Sequence, residues 1–350
     1  MKQSHLTSET QYHKLVIEKV IEEAPDVKTF VLSSEQPLVY KAGQFLTLVF
    51  QEGGTEERRS YSFSSSPEAR EPMAITLKRI PNGRYSRPLI DKARPGDTLF
   101  TTGAAGNFTL PENFDHYQEI FFFAAGIGIT PVFSLIKTIL FRYPEKQVVL
   151  MYSSPDVDET VFYNELVALR ERFQENFRLL FLFSSSPDLS RARLSKWLLP
   201  QLLQEYSGSE KGKQLFFACG PFAYMRMVKL SLEELNYHPD QFRKENFDTS
   251  RPVLRLMPPD TAEHTVYLRL KDRTEAVKVK YPQTILQAAR EQHIQLPFSC
   301  EVGRCGSCLM RCTEGKIWMS YNEVLTEGEI AAGKMLTCVA YPVFGDATLE

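Results

Sequence analysis

Four of the six cysteines in this 350-residue chain carry the most specific chemical signal it contains. Cys300, Cys305 and Cys308 stand in a C-x4-C-x2-C run, and Cys338 follows after 29 further residues. Four thiolates at this spacing hold a [2Fe-2S] cluster, whose chemistry is one-electron transfer. Gly303 and Gly306 fall between the ligands, where a missing Cβ lets the loop wrap closely and aim backbone N–H groups at the sulfurs. Such hydrogen bonds stabilise a negatively charged cluster and set its potential. Structural zinc prefers two short Cys/His pairs, and here only Cys305 and Cys308 form one. Cys312 lies outside the spacing and is expected to be a core residue.

A one-electron carrier needs a source of electrons, and three upstream segments have suitable chemistry. Gly126-Ile127-Gly128-Ile129-Thr130-Pro131 follows an apolar run and opens a helix, with Thr130 suited to the N-cap and Pro131 to the first helical position. Glycines at a strand–helix turn admit dinucleotide phosphates, although Pro131 replaces the third glycine of the usual fingerprint. Cys219-Gly220-Pro221 ends another apolar run in the same way. Arg59-Ser60-Tyr61-Ser62 places an aromatic ring and hydroxyls beside a cation, as a flavin requires for stacking, hydrogen bonding and phosphate binding. Each segment alone is equally well explained by an ordinary corner, strand packing or a solvated charge.

The elements that must position these residues fall into three regimes. Residues 10–113 show short alternating runs (Leu15–Ile21, Phe45–Phe50, Met73–Lys78) separated by turn signals at Asn82-Gly83 and Pro95-Gly96-Asp97, which predicts an antiparallel β-barrel. Residues 114–248 alternate apolar strands (120–124, 147–152, 177–183, 214–218) with helices (131–141, about 158–173, 221–235), which predicts an α/β unit with a parallel sheet. Residues 249–262, rich in proline, read as a linker. Residues 263–350 form a third unit in which a helix over 284–290 precedes the cysteine loop.

Bulk composition is that of a globular protein, with 43% hydrophobic and 24% charged residues. A net charge of −2 offers no basic surplus for nucleic acid. Met1–Tyr12 lacks the apolar core of a leader peptide, and the cysteines do not form a disulfide pattern. These features point to a cytoplasmic location. The apolar run Ile120–Ile136 is too short and too interrupted to span a membrane.

Taken in order, Arg59-x-Tyr61-Ser62, Gly126-x-Gly128-x-x-Pro131 and Cys219-Gly220-Pro221 resemble the motifs of the ferredoxin–NADP⁺ reductase superfamily. The C-terminal unit resembles a plant-type ferredoxin of β-grasp (α+β) fold. The whole chain looks like the reductase component of a multicomponent oxygenase, of the phenylacetyl-CoA epoxidase reductase type. This resemblance implies FAD in preference to FMN, NADH or NADPH as hydride donor, and a protein acceptor such as an oxygenase component, a desaturase or a hydroxylase. A redox-sensing module is the alternative. The resemblance assigns the flavin phosphates to Arg59, with Lys78-Arg79 and Gly83-x-x-Ser86 around the pyrophosphate and Gly103–Phe108 as the closing turn. It places Tyr61 on the flavin ring and Ser62 near its N5 atom. Gly126, Gly128, Thr130 and Pro131 take the dinucleotide phosphates, Cys219, Gly220 and Pro221 approach the nicotinamide, and Phe247 lies close to the flavin. The place where NADPH-using relatives often have Asn-Arg reads Ser153-Ser154-Pro155-Asp156, which leans toward NADH, while Arg191 or Arg193 remains able to reach a 2′-phosphate. The C-terminal unit holds 10 Lys/Arg and 11 Asp/Glu, a balance that suits a ferredoxin tethered to its donor.

Overall fold

The computed structural model describes residues 12–350 apart from 53–54, 249–251 and 272. The expected absence of a leader peptide therefore lies outside the described residues, except at Tyr12. The first sheet contains β1 (His13–Ala24), β2 (Val27–Ser34), β3 (Phe45–Glu52), β4 (Thr55–Ser62), β5 (Ala74–Lys78) and β6 (Thr98–Ala105), with α1 (Ser86–Lys92) between the last two. Its order is β4-β3-β6-β1-β2-β5, antiparallel throughout, and a Phe63↔Ile75 bridge brings its two edges together. Alternation explains the barrel core. Leu15 and Ile17, Phe30 and Leu32, Leu46 and Leu48, and Ile75 and Leu77 all turn inward into one apolar cluster.

The second sheet is built from β7 (Glu119–Ala125), β8 (Gln147–Ser154), β9 (Phe177–Phe183), β10 (Gln214–Cys219) and β11 (Phe242–Glu245). They run parallel in the order β11-β10-β7-β8-β9. Four helices accompany these strands, α2 (Ile129–Arg142), α3 (Tyr163–Arg172), α4 (Leu198–Tyr206) and α5 (Phe222–Glu234). Strand β7 reads as a continuous apolar run because both its faces are covered. Ile120 and Phe122 join one core cluster, and Phe121 and Phe123 join the other.

Two expectations need correction. Helix α2 begins at Ile129 with Gly128 as its cap, so Thr130 and Pro131 lie inside the first turn. A 3₁₀ turn over Gly126–Gly128 already curls the chain helically, and the Thr130 hydroxyl turns back to the Ile127 carbonyl. Helix α3 begins at Tyr163, later than the expected 158. The Asp156 carboxylate accepts from the Glu159 N–H, and Phe162 adopts a left-handed conformation (φ 62°), so the intervening residues form turns.

The third unit comprises β12 (His264–Arg269), β13 (Thr274–Val279), α6 (Ile285–Glu291), β14 (Leu309–Glu314), β15 (Ile317–Met319), α7 (Glu327–Ala331), β16 (Lys334–Leu336), β17 (Ala340–Pro342) and β18 (Ala347–Leu349). A five-stranded sheet of order β13-β12-β18-β14-β16 packs against α6, and β15 pairs with β17 in a separate ribbon. A capping box between Thr284 and Gln287 fixes the start of α6. Residues 252–263 carry no helix or strand. Among the described residues no helix is long and apolar enough to cross a membrane.

Candidate functional site: a three-station redox centre

The cysteine loop, between α6 and β14, folds as its glycines require. Gly303 and Gly306 both have φ of 75°, a conformation that side-chain-bearing residues rarely adopt. Four thiols converge in two pairs: Cys300 hydrogen-bonds with Cys305, and Cys308 with Cys338. Among the described residues no three His, Cys, Asp or Glu side chains close on a single point. Two metal ions with two thiolates each produce a two-and-two arrangement, so the donor set fits a [2Fe-2S] cluster. Backbone N–H groups of Val302, Arg304 and Cys305 point at Cys300, and that of Gly303 at Cys338. The Cys300 thiol is pulled down to about 6, first by its hydrogen bond with Cys305 and then by these N–H groups. Cys312 instead bonds to the Glu314 carbonyl and packs at the edge of the apolar core.

On the barrel, Arg59 lies on β4 with its guanidinium 4.9 Å from the centre of the Tyr85 ring. The Tyr85 hydroxyl is buried without a hydrogen-bond partner, which leaves a polar group beside a cation for a phosphate-bearing ligand to satisfy. Gly83 cannot carry a side chain, since a Cβ would collide with Ser86 Oγ and come within 2.9 Å of the Ile80 carbonyl oxygen. Lys78 is exposed at the end of β5. Arg79 pairs with Asp91 at 3.0 Å. Tyr61 is half-buried on β4, and Ser62 ends that strand almost fully buried.

The two strand-to-helix corners meet each other. Strands β7 and β10 are paired through Ala124↔Cys219. A Cβ on Gly128 would strike the Cys219 carbonyl, and one on Gly220 would come within 2.9 Å of the Ala125 side chain. Glycine is thus required for the close approach of the two corners. Gly126 has φ of 54° with open space where a Cβ would be, and its carbonyl accepts from the Tyr152 hydroxyl. Thr130 and Pro131 are buried, and the Cys219 side chain is enclosed in the core. Phe247 is 45% exposed beyond β11.

One candidate side chain escaped the sequence reading. Glu245 ends β11 directly beside Cys219 in register, and the Ser62 hydroxyl donates to its Oε2 at 3.1 Å. Burial pushes its carboxyl up to about 8, with the Ser62 bond offsetting part of that rise. It also helps to raise the Cys219 thiol, after burial itself. In the sequence it follows Arg243 and Lys244, which looks like a solvated strand end. Only its place two residues ahead of the aromatic Phe247 could have singled it out.

The same strand β4 also touches the cysteine loop. The Arg58 guanidinium stacks 3.8 Å from the centre of the Phe298 ring and donates to the Phe298 carbonyl. The hydroxyls of Ser60 and Ser299 are 2.8 Å apart. Cys300 is the next residue.

This geometry defines a flavin- and nicotinamide-dependent iron–sulfur oxidoreductase, and comparison with known proteins agrees. Residues 14–110 match the oxidoreductase FAD-binding domain, 122–230 the oxidoreductase NAD-binding domain, and 268–343 the 2Fe-2S iron-sulfur cluster binding domain. The chain is 30% identical to a component of the 1,2-phenylacetyl-CoA epoxidase of Escherichia coli, covering 97% of this chain and 98% of that protein. It is 31% identical to the ferredoxin reductase component of 3-ketosteroid-9-alpha-monooxygenase of Rhodococcus rhodochrous, covering 96% of both. The fold is that of phthalate dioxygenase reductase (TM-score 0.59, 24% identity, 97% and 98% covered). The chain belongs to the ferredoxin–NADP⁺ reductase superfamily, in the branch with a C-terminal [2Fe-2S] domain that includes oxygenase reductase components. It is an NAD(P)H-dependent oxidoreductase that uses FAD and a [2Fe-2S] cluster, accepting a hydride at the flavin and passing single electrons through the cluster.

Proposed function

We propose that this chain is the reductase of an oxygenase system in the cytoplasm, and that Arg59, Tyr61, Ser62, Glu245 and the four cysteines carry the relay. One observation supports this above all: strand β4 reaches both ends of it. Arg58 and Ser60 touch the residues that precede Cys300, while Ser62 touches Glu245 beside Cys219. Four residue steps separate Arg58 from Ser62, about 13 Å along a strand.

Arg59 and the Gly83–Ser86 turn hold the FAD diphosphate, with Tyr61 against the ring and Lys78 at the rim. FAD supplies the conversion between two-electron hydride chemistry and single-electron transfer. The chain supplies position and protons. Ser62 Oγ and Glu245 Oε2 form a buried pair in which the carboxyl keeps its proton at neutral pH, so a proton is held beside the reacting atoms without a buried charge. Gly126 leaves room for the dinucleotide backbone, Gly128 and Gly220 let the two corners close on each other, and the buried Cys219, Thr130 and Pro131 shape the floor beneath it. Phe247 is the aromatic that covers the ring.

A cleft beyond the ends of β8 and β9 takes the adenosine ribose. Ser154, whose buried hydroxyl lacks a partner, lines it together with Arg193. Arg191 is engaged with Glu205 at 2.8 Å. Arg193 therefore sets the coenzyme preference, and Arg193→Ala lowers kcat/KM for NADPH about tenfold or more while sparing NADH.

The test is an anaerobic titration of the purified holoprotein with NADH and NADPH, followed by mixing with candidate oxygenase components. Flavin and iron–sulfur absorbance bleached by reduced nicotinamide, then restored by an oxygenase, supports the reading. A protein lacking those bands sinks it, and one that reduces only a desaturase or a hydroxylase moves the acceptor to that class.

A further inference from the structure

One side of the cysteine loop is covered by the flavin and nicotinamide domains. On the covered side Phe298 and Ser299 meet β4, Gly306 sits against Asn107, and Arg304 reaches the Asp248 carbonyl. The other side opens onto a ribbon. Strand β17 begins two residues after Cys338 and pairs with β15, setting Tyr341 opposite Trp318. Ile317 and Met319 pack onto the domain core, so Trp318 and its neighbour Lys316 project from the opposite face of β15. Tyr341 is buried at 4% exposure and Trp318 is half-buried, so Trp318 is the ring of this pair that reaches solvent. Tyr281 completes an aromatic string, with ring centres 6.0 Å from Tyr341, which is itself 6.1 Å from Trp318.

The connecting segment after the nicotinamide domain runs along this ribbon. Arg255 donates to the carbonyl of Glu301, the residue after Cys300, and its charge acts on the Tyr341 hydroxyl. Its neighbours Leu254 and Leu256 are 80% and 57% exposed. Leu254, Leu256 and Tyr281, with the half-buried Trp318, therefore leave an apolar patch on the face beside the cysteine loop. Its rim is cationic. Arg255, Lys280 and Lys316 are exposed and have no ion-pair partner among the described residues. The nearby carboxylates are engaged elsewhere: Glu301 with Arg290, Glu314 with Arg269, and Asp260 with His264.

We infer that this patch is the docking surface of the protein electron acceptor, and that the acceptor presents an apolar centre with an acidic rim. An apolar centre with a charged rim is the usual anatomy of a transient interface, and the opposite charge on the partner speeds encounter. The inference rests on the reading of the cluster as the electron exit, so its test must separate the two.

In anaerobic stopped-flow, the holoprotein reduced by NAD(P)H is mixed with cytochrome b5, an acidic haem protein, and separately with cytochrome c, a basic one. Reversing the rim with Arg255→Glu plus Lys316→Glu should slow cytochrome b5 reduction about tenfold at low salt, flatten its salt dependence, and speed cytochrome c reduction. Trp318→Ala should slow both proteins. Arg273→Glu, at the far end of the β12–β13 hairpin, should change either rate less than twofold. Loss of flavin or cluster reduction by NAD(P)H in the wild-type traces would overturn the exit reading itself. Normal reduction with a wild-type cytochrome b5 rate in the charge-reversed protein, or with equal slowing of both cytochromes, would overturn the docking surface.

Discussion

The two junctions of this molecule are built from different materials. Between the barrel and the nicotinamide domain the contact is a shared apolar core, in which Ala24, Val27, Ala42 and Phe108 join residues of β7, α2 and β10. Phe108 packs edge-on against Phe217 at 5.3 Å. Between this platform and the ferredoxin domain the contact is polar. Arg243 meets Glu329 across it at 3.3 Å, and Glu323, held at 3.3 Å by Arg304 of its own domain, faces the same seam, all with side chains at most 11% exposed. Asn107 and Asn246 donate to the same two glutamates, and Asp240 accepts from the Gly328 N–H. An apolar seam fixes the hydride donor and acceptor sites rigidly to one another, since shifting it exposes apolar surface. A charged seam is specific in register but contributes little net stability, so the cluster domain can be held in one orientation and still be released.

The junctions should also fail at opposite ends of the pH scale. Glu245, in the first, keeps its proton in the folded state up to about 8, against an ordinary value of 4.5. Its contribution is complete below that ordinary value and is lost as pH rises through about 8, a difference of up to about 5 kcal/mol. Glu245→Gln should remove this loss, flattening thermal stability between pH 5 and pH 8 in calorimetry, and should slow flavin reduction by removing the proton held on the carboxyl. Glu323 and Glu329, in the second junction, are held below their ordinary value by Tyr321, Asn246 and Lys244 around the first and by Arg243 around the second, against the opposing cost of burial. Their contribution is present above 4.5 and disappears as pH falls through the lowered values. Acid should therefore free the ferredoxin domain, and hydrogen exchange in residues 323–334 should report it.

Substitutions should separate the junctions in the same way. Phe108→Ala should cost about 3–5 kcal/mol of global stability by leaving a cavity in the shared core. Glu329→Gln leaves Arg243 without its charge partner and should cost about 3 kcal/mol, confined to the ferredoxin contact and visible as salt-dependent internal electron transfer. Arg58→Ala removes the cation–π stack on Phe298, the hydrogen bond to its carbonyl and the ion pair with Glu56, and should cost about 1–2 kcal/mol. Equal effects of salt on both junctions would break the comparison.

How much of this was legible in the sequence depends on how far apart the partners lie. The cysteine spacing, the glycines at Gly126, Gly128 and Gly220, and the strand–helix alternation are local patterns, and local chemistry dictates them. The start of α2 was misplaced because Thr130-Pro131 imitates a cap, while the 3₁₀ turn at Gly126–Gly128 begins the helix earlier. Glu245 was missed because its meaning comes from Ser62, 183 residues away. The seam between Arg58 and Phe298 spans 240 residues and involves side chains that look like ordinary surface charges. Such contacts leave no periodic trace.

The central claim is that electrons enter at the flavin and leave only through the cluster. Cys305→Ser removes one ligand of the first thiol pair and leaves the flavin and nicotinamide corners untouched. The decisive measurement follows flavin absorbance and cytochrome b5 reduction together in anaerobic stopped-flow. Flavin reduction by NAD(P)H at the wild-type rate, with delivery to cytochrome b5 lowered by about a hundredfold or more, is the predicted result. Delivery at the wild-type rate would show that electrons leave by another route.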